Sequence, residues 1–273
     1  PKKDLQAKME SLWHKDIQKR DSMSDAIRAW QDDGFGIFMH FSPSTAFQGR
    51  YKGKEREKDL WAEWMMVRAE IPIPDYEEQL RSWNPDLFDA DEWADVVATS
   101  GCRYFVFTAK HHDGLAMFKS EVGPYNIVEH TAFEKGDIFG QLTEAVRKRG
   151  VKPGFYYSHH LDWHQPGGAG GPKNKTLDEY ADDLALPHLE ELTTKYGKQQ
   201  AAWFDCGGPE GLAKKCEALV HKNQPDIMVC SRVGGGLGDF TSEGDCQVPP
   251  VRVDGPWETC MTLTQHWAWF PLD

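Results

Sequence analysis

The chain has 273 residues, 40% of them hydrophobic, with Lys+Arg 31 against Asp+Glu 43 and a formal net charge of -12. That length favours one large domain with a sizeable core, and the acidic excess argues against nucleic acid or an anionic membrane as partner, because the long-range field repels phosphates. No stretch approaches the roughly 18 to 20 apolar residues of a membrane helix, so the expectation is a soluble protein.

The first predicted strand is FGIFMH (35–40), followed by a long polar and aromatic insertion at 42–75. DADEWADVVATSG (89–101) predicts a helix: Asp89 with Glu92 three positions on resembles a capping box, and Gly101 can close it. The run RYFVFTA (103–109) predicts a second strand, leading into KHHDG. DIFGQLTEAVRKRG (137–150) places Ile138, Leu142 and Val146 on one helical face and ends in basic residues and Gly150, as the helix dipole favours. KPGFYYS (152–158) predicts a third strand and GGAGGPKNK (167–175) a flexible loop over the mouth. A helix follows near 177–196, which Pro187 should kink or divide, then a fourth strand AAWFD (201–205) and a helix near 209–224. IMVCSR (227–232) predicts the fifth strand, and weaker ones lie near GDFTSE (238–243) and PWETC (256–260).

Alternation of strand and helix, with strand runs apolar on both faces, predicts an α/β fold with a parallel sheet. No glycine-rich phosphate loop follows the first strand, and VGGGLG (233–238) lacks the Lys-Ser/Thr of a phosphate loop. A (β/α)8-like, TIM-type barrel fits better than a dinucleotide-binding sheet. In such barrels function gathers at the C-terminal ends of the strands. Six cysteines are scattered without a CxxC pair, which indicates neither a zinc site nor a disulfide framework.

Polar and aromatic groups collect at those strand ends. They include His40, Lys110, His111, His112 and Asp113, then Tyr156, Tyr157, His159 and His160, then Trp203, Asp205 and Arg232, and finally Glu243 and Glu258. A lone histidine there is commonly a satisfied core group, whereas a ring of such groups at one end points to function. There is no GxSxG nucleophile elbow. Adjacent His111 and His112 would face opposite sides of an extended strand and fit an H-x-H metal pair poorly; they fit better in a turn, where both rings and Lys110 could bond neighbouring hydroxyls. Carboxylate chemistry fits best. Asp205 ends an apolar strand, where it is held and partly desolvated as a nucleophile should be. A second carboxylate, Glu243 or Glu258, could protonate a leaving oxygen. Asp205 could instead cap the helix that follows.

FGIFMHFSPST, HHDGLAMF, KPGFYYS, AAWFDCGG, GDFTSE and PWETC occur in the order and spacing of family 29 glycoside hydrolases, the retaining α-L-fucosidases, which the sequence resembles over nearly its whole length. The resemblance implies that His40, His111, His112 and Arg232 grip the hydroxyls of a terminal fucose. It places Glu63, Trp64, Tyr156, Tyr157 and Trp203 around the sugar and makes Asp205 the nucleophile. The acid/base falls on Glu243 or Glu258, with Glu243 ahead because VGGGLG would let its segment reach in. It implies a fucosylated glycan as substrate, no metal and no cofactor, no nucleic-acid or membrane partner, and a periplasmic or secreted location; the oligomeric state stays open. Residues 1–273 would form one catalytic barrel domain, incomplete at its C-terminal end, with the family's β-sandwich absent from this chain. Leu115 stands where the family has an aromatic, an altered pocket wall. Three other readings stay open. One is a metal-dependent barrel hydrolase using His40, His111, His112 and Asp205. Another is a barrel that binds a sugar without cutting it. The third is a glycosidase for α-L-galactose, with room made by Leu115 and the 42–60 loop.

Overall fold

The structure is a computed structural model and describes residues 7, 19–55, 62–251, 253–264 and 266–268. Five strands form one parallel sheet in sequential order: β1 (Gly36–Met39), β2 (Tyr104–Lys110), β3 (Lys152–Tyr157), β4 (Ala201–Phe204) and β5 (Met228–Val229). Phe105, Val106, Phe107 and Ala109 of β2 are all buried, as expected of a strand covered on both faces. Close approach sets the glycine in β3: a Cβ on Gly154 would stand 2.8 Å from the Ala201 carbonyl oxygen of β4.

Two short strands, β6 (Thr241–Ser242) and β7 (Trp257–Glu258), pair in parallel with each other. Isolated parallel bridges extend the sheet at both edges: Cys230 beside β5 meets Phe240, and His40 beside β1 meets Ala268. Strand positions therefore follow one another in parallel from β1 to β7 and return at Ala268, which is barrel order. Among the described residues no pairing joins β7 to Ala268, so a closed ring is not detected. The last described segment returns to the first strand through the single His40–Ala268 bridge.

Helices cover the outer face. Asp89 caps Ala90–Thr99 by accepting from the Asp91 and Glu92 amides, and Asp137 caps Ile138–Lys148 through the Gly140 amide. The helix over 177–196 is divided. Leu177–Tyr180 and Leu186–Thr194 are α-helical, and Ala181–Ala185 between them is a π turn. Pro187 cannot donate to the Asp183 carbonyl and its ring crowds that oxygen, so the ladder widens just before it. The glycine loop at 167–175, expected over the mouth, supplies no residue to the lining of the cavity at the strand ends. Ala169–Gly170 pairs with Leu161–Asp162, and the loop packs on Asp162 and Trp163. Among the described residues no helix is long and apolar enough to cross a membrane, and all six cysteines are free.

Candidate active site

A cavity of about 540 Å3 opens at the C-terminal ends of β1 to β5, within the roughly 300–1,000 Å3 of small-molecule pockets. Strand alternation supplies its floor. Phe38 and His40 project inward from β1 and its extension, and Tyr156 and Trp203 do so from β3 and β4. Tyr156 stacks on Trp203, ring centroids 5.6 Å apart, and on His111 at 5.4 Å. The register of β2 against β3 shifts between Thr108 and Lys110, and the chain then turns, with the Gly114 amide bonded to the His111 carbonyl. That turn brings both imidazoles to the same side, 4.2 Å between centroids.

Asp205 leaves the end of β4 and lies on the cavity wall. Its Oδ2 accepts from Tyr156 Oη at 2.9 Å and lies 3.6 Å from His112 Nε2, while Oδ1 accepts from the Cys206 amide at 2.8 Å and from Arg232 Nη1 at 3.3 Å. Burial by itself would raise its pKa, but the hydrogen bond and charge of His112, the Arg232 guanidinium and the Tyr156 hydroxyl outweigh burial. The carboxyl is held well below its usual range and stays ionised.

His40 and His111 are neutral. Burial pushes His40 down to about 3, against the pull of Asp205, and pushes His111 well below its ordinary value with help from His112 and His40. Burial also raises the Glu63 carboxyl to about 7, although its backbone bond and the Ala268 amide pull the other way. His40 Nδ1, His111 Nδ1 and Glu63 Oε1 are buried and have no hydrogen-bond partner within the protein. Buried polar groups are ordinarily paired, and these three orphans belong to residues on one cavity's wall.

Several sequence-predicted residues meet here: His40, Glu63, Trp64, His111, Tyr156, Trp203, Asp205 and Arg232 all line the cavity, with His112 behind Asp205. Others are placed elsewhere. Tyr157 is a correction: strand alternation turns it into the helix layer, where its hydroxyl meets His188 Nδ1 at 3.1 Å. Lys110 does not reach the cavity either; it is fully buried on Asp162. Leu115 lies in the core, not on the wall. Neither proposed acid/base lines the cavity. Glu243 faces Arg232 through its backbone carbonyl, and Glu258 accepts from the Trp203 indole beneath the floor. Burial raises the Glu258 carboxyl, against its bond to Trp203.

Cys206, Arg68, Asp245 and Trp267 line the cavity and escaped the sequence reading. Arg232 Nη1 sits 3.3 Å from Asp205 Oδ1 and 2.7 Å from Asp245 Oδ1. Nothing in the irregular segment around Asp245 signals its direction, and Trp267 follows no strand pattern. For Cys206 the one local signal is its adjacency to Asp205.

A family model described as Alpha-L-fucosidase matches residues 4–272. The chain is 30% identical over 259 residues to a putative alpha-L-fucosidase of Caenorhabditis elegans, covering 88% of this chain and 52% of that protein. It is 30% identical over 273 residues to an alpha-L-fucosidase of Dictyostelium discoideum, covering 88% and 57%. The chain thus spans about half the length of the curated relatives it matches. An alpha-L-fucosidase of Lactobacillus casei, solved with its alpha-L-fucose product, aligns with a TM-score of 0.76 and 32% identity over 83% of this chain and 77% of that one. One from Vibrio sp. strain EJY3 aligns with a TM-score of 0.83 and 31% identity over 91% and 47%. Motif order, parallel barrel strands and a family match along nearly the whole chain agree, and on that ground the chain belongs to the alpha-L-fucosidase family, glycoside hydrolase family 29.

Proposed function

We propose that this chain carries the catalytic barrel of a retaining α-L-fucosidase acting on terminal α-L-fucosyl groups of glycans. The carrying observation is an ionised Asp205 in a cavity whose buried orphan atoms, on His40, His111 and Glu63, suit the hydroxyls of one sugar. A neutral imidazole offers one donor and one acceptor, and a protonated Glu63 offers both. Tyr156, Trp203 and Trp267 supply apolar faces for the sugar ring and its methyl group.

Asp205 attacks the anomeric carbon, and the glycosidic C–O bond breaks as the leaving oxygen takes a proton. We assign that proton transfer to Asp245, the carboxylate of the 243–245 segment that lines the cavity. It is partly exposed, where a departing glycan and an entering water meet, whereas Glu63 is 2% exposed. Asp205 Oδ1 and Asp245 Oδ1 lie 3.3 Å and 2.7 Å from the same Arg232 nitrogen, so they are no more than about 6 Å apart. That supports retention, for which carboxyls stand roughly 5–5.5 Å apart, over inversion at roughly 6.5–9.5 Å.

The test is hydrolysis of an aryl α-L-fucoside beside a fucosyl disaccharide, with and without chelator. Asp205→Ala should lose more than about 10⁴-fold in kcat with an unchanged melting temperature. Asp245→Asn should lose about 10²–10⁴-fold on the disaccharide and much less on an aryl fucoside whose leaving group needs no proton. NMR should show the α-anomer formed first. Near-normal turnover by Asp205→Ala, the β-anomer as first product, or loss of activity to chelator would overturn the reading.

A further inference from the structure

His112 Nε2, Asp205 Oδ2 and Cys206 Sγ converge at the cavity wall, with ligand atoms of the three residues all within 4.8 Å of one another. His112 Nε2 stands 3.6 Å from Asp205 Oδ2 and 3.8 Å from Cys206 Sγ. Zinc bonds of roughly 2.0–2.3 Å in a tetrahedron put nitrogen, oxygen and sulfur ligands roughly 3.3–3.5 Å apart. The two spacings to His112 exceed these by a few tenths of an ångström, and the Asp205–Cys206 spacing lies within 4.8 Å. Among the described residues this is the only such group of metal-ligating side chains.

The anchoring of His112 suits the role. Ser158 Oγ donates to the Leu161 carbonyl at 2.7 Å, so its oxygen accepts from His112 Nδ1 at 2.6 Å. Nδ1 donates to Ser158, and Nε2 faces Asp205 and Cys206, so a cation would take the place of the proton that Nε2 shares with Asp205, as in histidines that bind a metal through one nitrogen and are anchored through the other. Tyr156 Oη orients Asp205 Oδ2, and Arg232 engages the opposite oxygen with its charge offset by Asp245. Cys206 holds a left-handed φ of 61°, an uncommon conformation for a residue with a Cβ, and is exposed in the cavity.

We propose that His112, Asp205 and Cys206 form an inhibitory site for a borderline-soft divalent cation of the zinc class. Binding forms Zn–N, Zn–O and Zn–S bonds, the Cys206 S–H proton and the His112 Nε2 proton pass to solvent, and nothing is oxidised or reduced. A thiolate, a carboxylate and a neutral imidazole together balance the two positive charges. The fourth position faces the cavity. A cation here covers the carboxylate oxygen that a sugar must meet, so it excludes substrate. Cation binding stands independently of the fucosidase reading; the competition with a fucoside rests on it.

The experiment titrates Co2+ and Zn2+ into the full chain. Co2+ should give a near-ultraviolet thiolate charge-transfer band in wild type and in Cys246→Ser, lost in Cys206→Ser. Zn2+ affinity by calorimetry should fall more than about tenfold in Cys206→Ser and in His112→Gln. In the unmutated protein, Zn2+ should protect Cys206 from alkylation, a readout that needs no variant to fold. On an aryl α-L-fucoside, Zn2+ should raise the apparent KM and leave kcat unchanged. A charge-transfer band that survives in Cys206→Ser, or alkylation of Cys206 at the same rate with Zn2+, overturns the site. Inhibition that lowers kcat without raising KM overturns the competition. Cation binding in a chain that cleaves no fucoside would refute the fucosidase reading and leave the site standing.

Discussion

Glu63 is buried against the Ala268 amide, which donates to its Oε2 at 3.3 Å. Burial raises its pKa from 4.5 to about 7, so between those values the folded chain keeps a proton that the unfolded chain has lost. Wherever the folded state binds more protons, stability falls as pH rises. Glutamine has no such proton and can still accept from Ala268. The stability of Glu63→Gln relative to wild type should therefore climb through pH 4.5 to 7, by about 3 kcal/mol at most, and level off above. Urea unfolding at a series of pH values measures it; a difference independent of pH would show that Glu63 ionises freely. The same residue shows how single positions were legible. Glu63 and Trp64 were found through the resemblance alone, since the insertion has no period to read. His40, His111, Trp203 and Asp205 were legible because each stands at or just past the end of an apolar strand. Glu243 and Asp245 share a segment where no periodicity says which carboxylate turns inward, and Asp245 is the one that lines the cavity.

At the scale of elements, β2 and the divided helix are tied by a fully buried network. Lys110 Nζ donates to Asp162 Oδ2 at 2.9 Å and to Tyr180 Oη at 3.1 Å, while Asp162 Oδ1 accepts from the His164 and Gln165 amides. Removing one partner of a buried pair strands the other's charge. Lys110→Met should lose about 3–5 kcal/mol of stability in urea unfolding, whereas a loss under about 1 kcal/mol would mark the pair as no stronger than an exposed one. Strand and helix runs were legible because their periods are local. Asp89, Asp137, Gly150 and Pro187 punctuate the chain by backbone chemistry that needs no partner. The burial of Lys110 was not legible: whether a lysine at a strand end faces solvent or a carboxylate depends on an aspartate far along the chain.

At the scale of the whole molecule, the first and last described strand positions meet. Ala268 bridges to His40 and donates to Glu63, and the Trp267 ring stands 5.3 Å from His40. A chain ending at Thr264 should lose about 1–3 kcal/mol, the cost of an unpaired buried acceptor, together with affinity for L-fucose. Unfolding and calorimetry on the shortened chain check both; unchanged values would mean that the returning segment does not build the cavity. By itself the sequence determined the order of strands and helices, the end of the sheet at which the cavity opens, and the aspartate on its wall. These follow from periods, caps and apolar runs encoded within a few residues of one another. Only the tertiary structure decided that Tyr157 and Lys110 turn away, and that Cys206, Asp245 and Trp267 turn in. Those choices depend on register and packing between segments far apart in the chain, where a shift of one or two residues reverses the direction of a side chain.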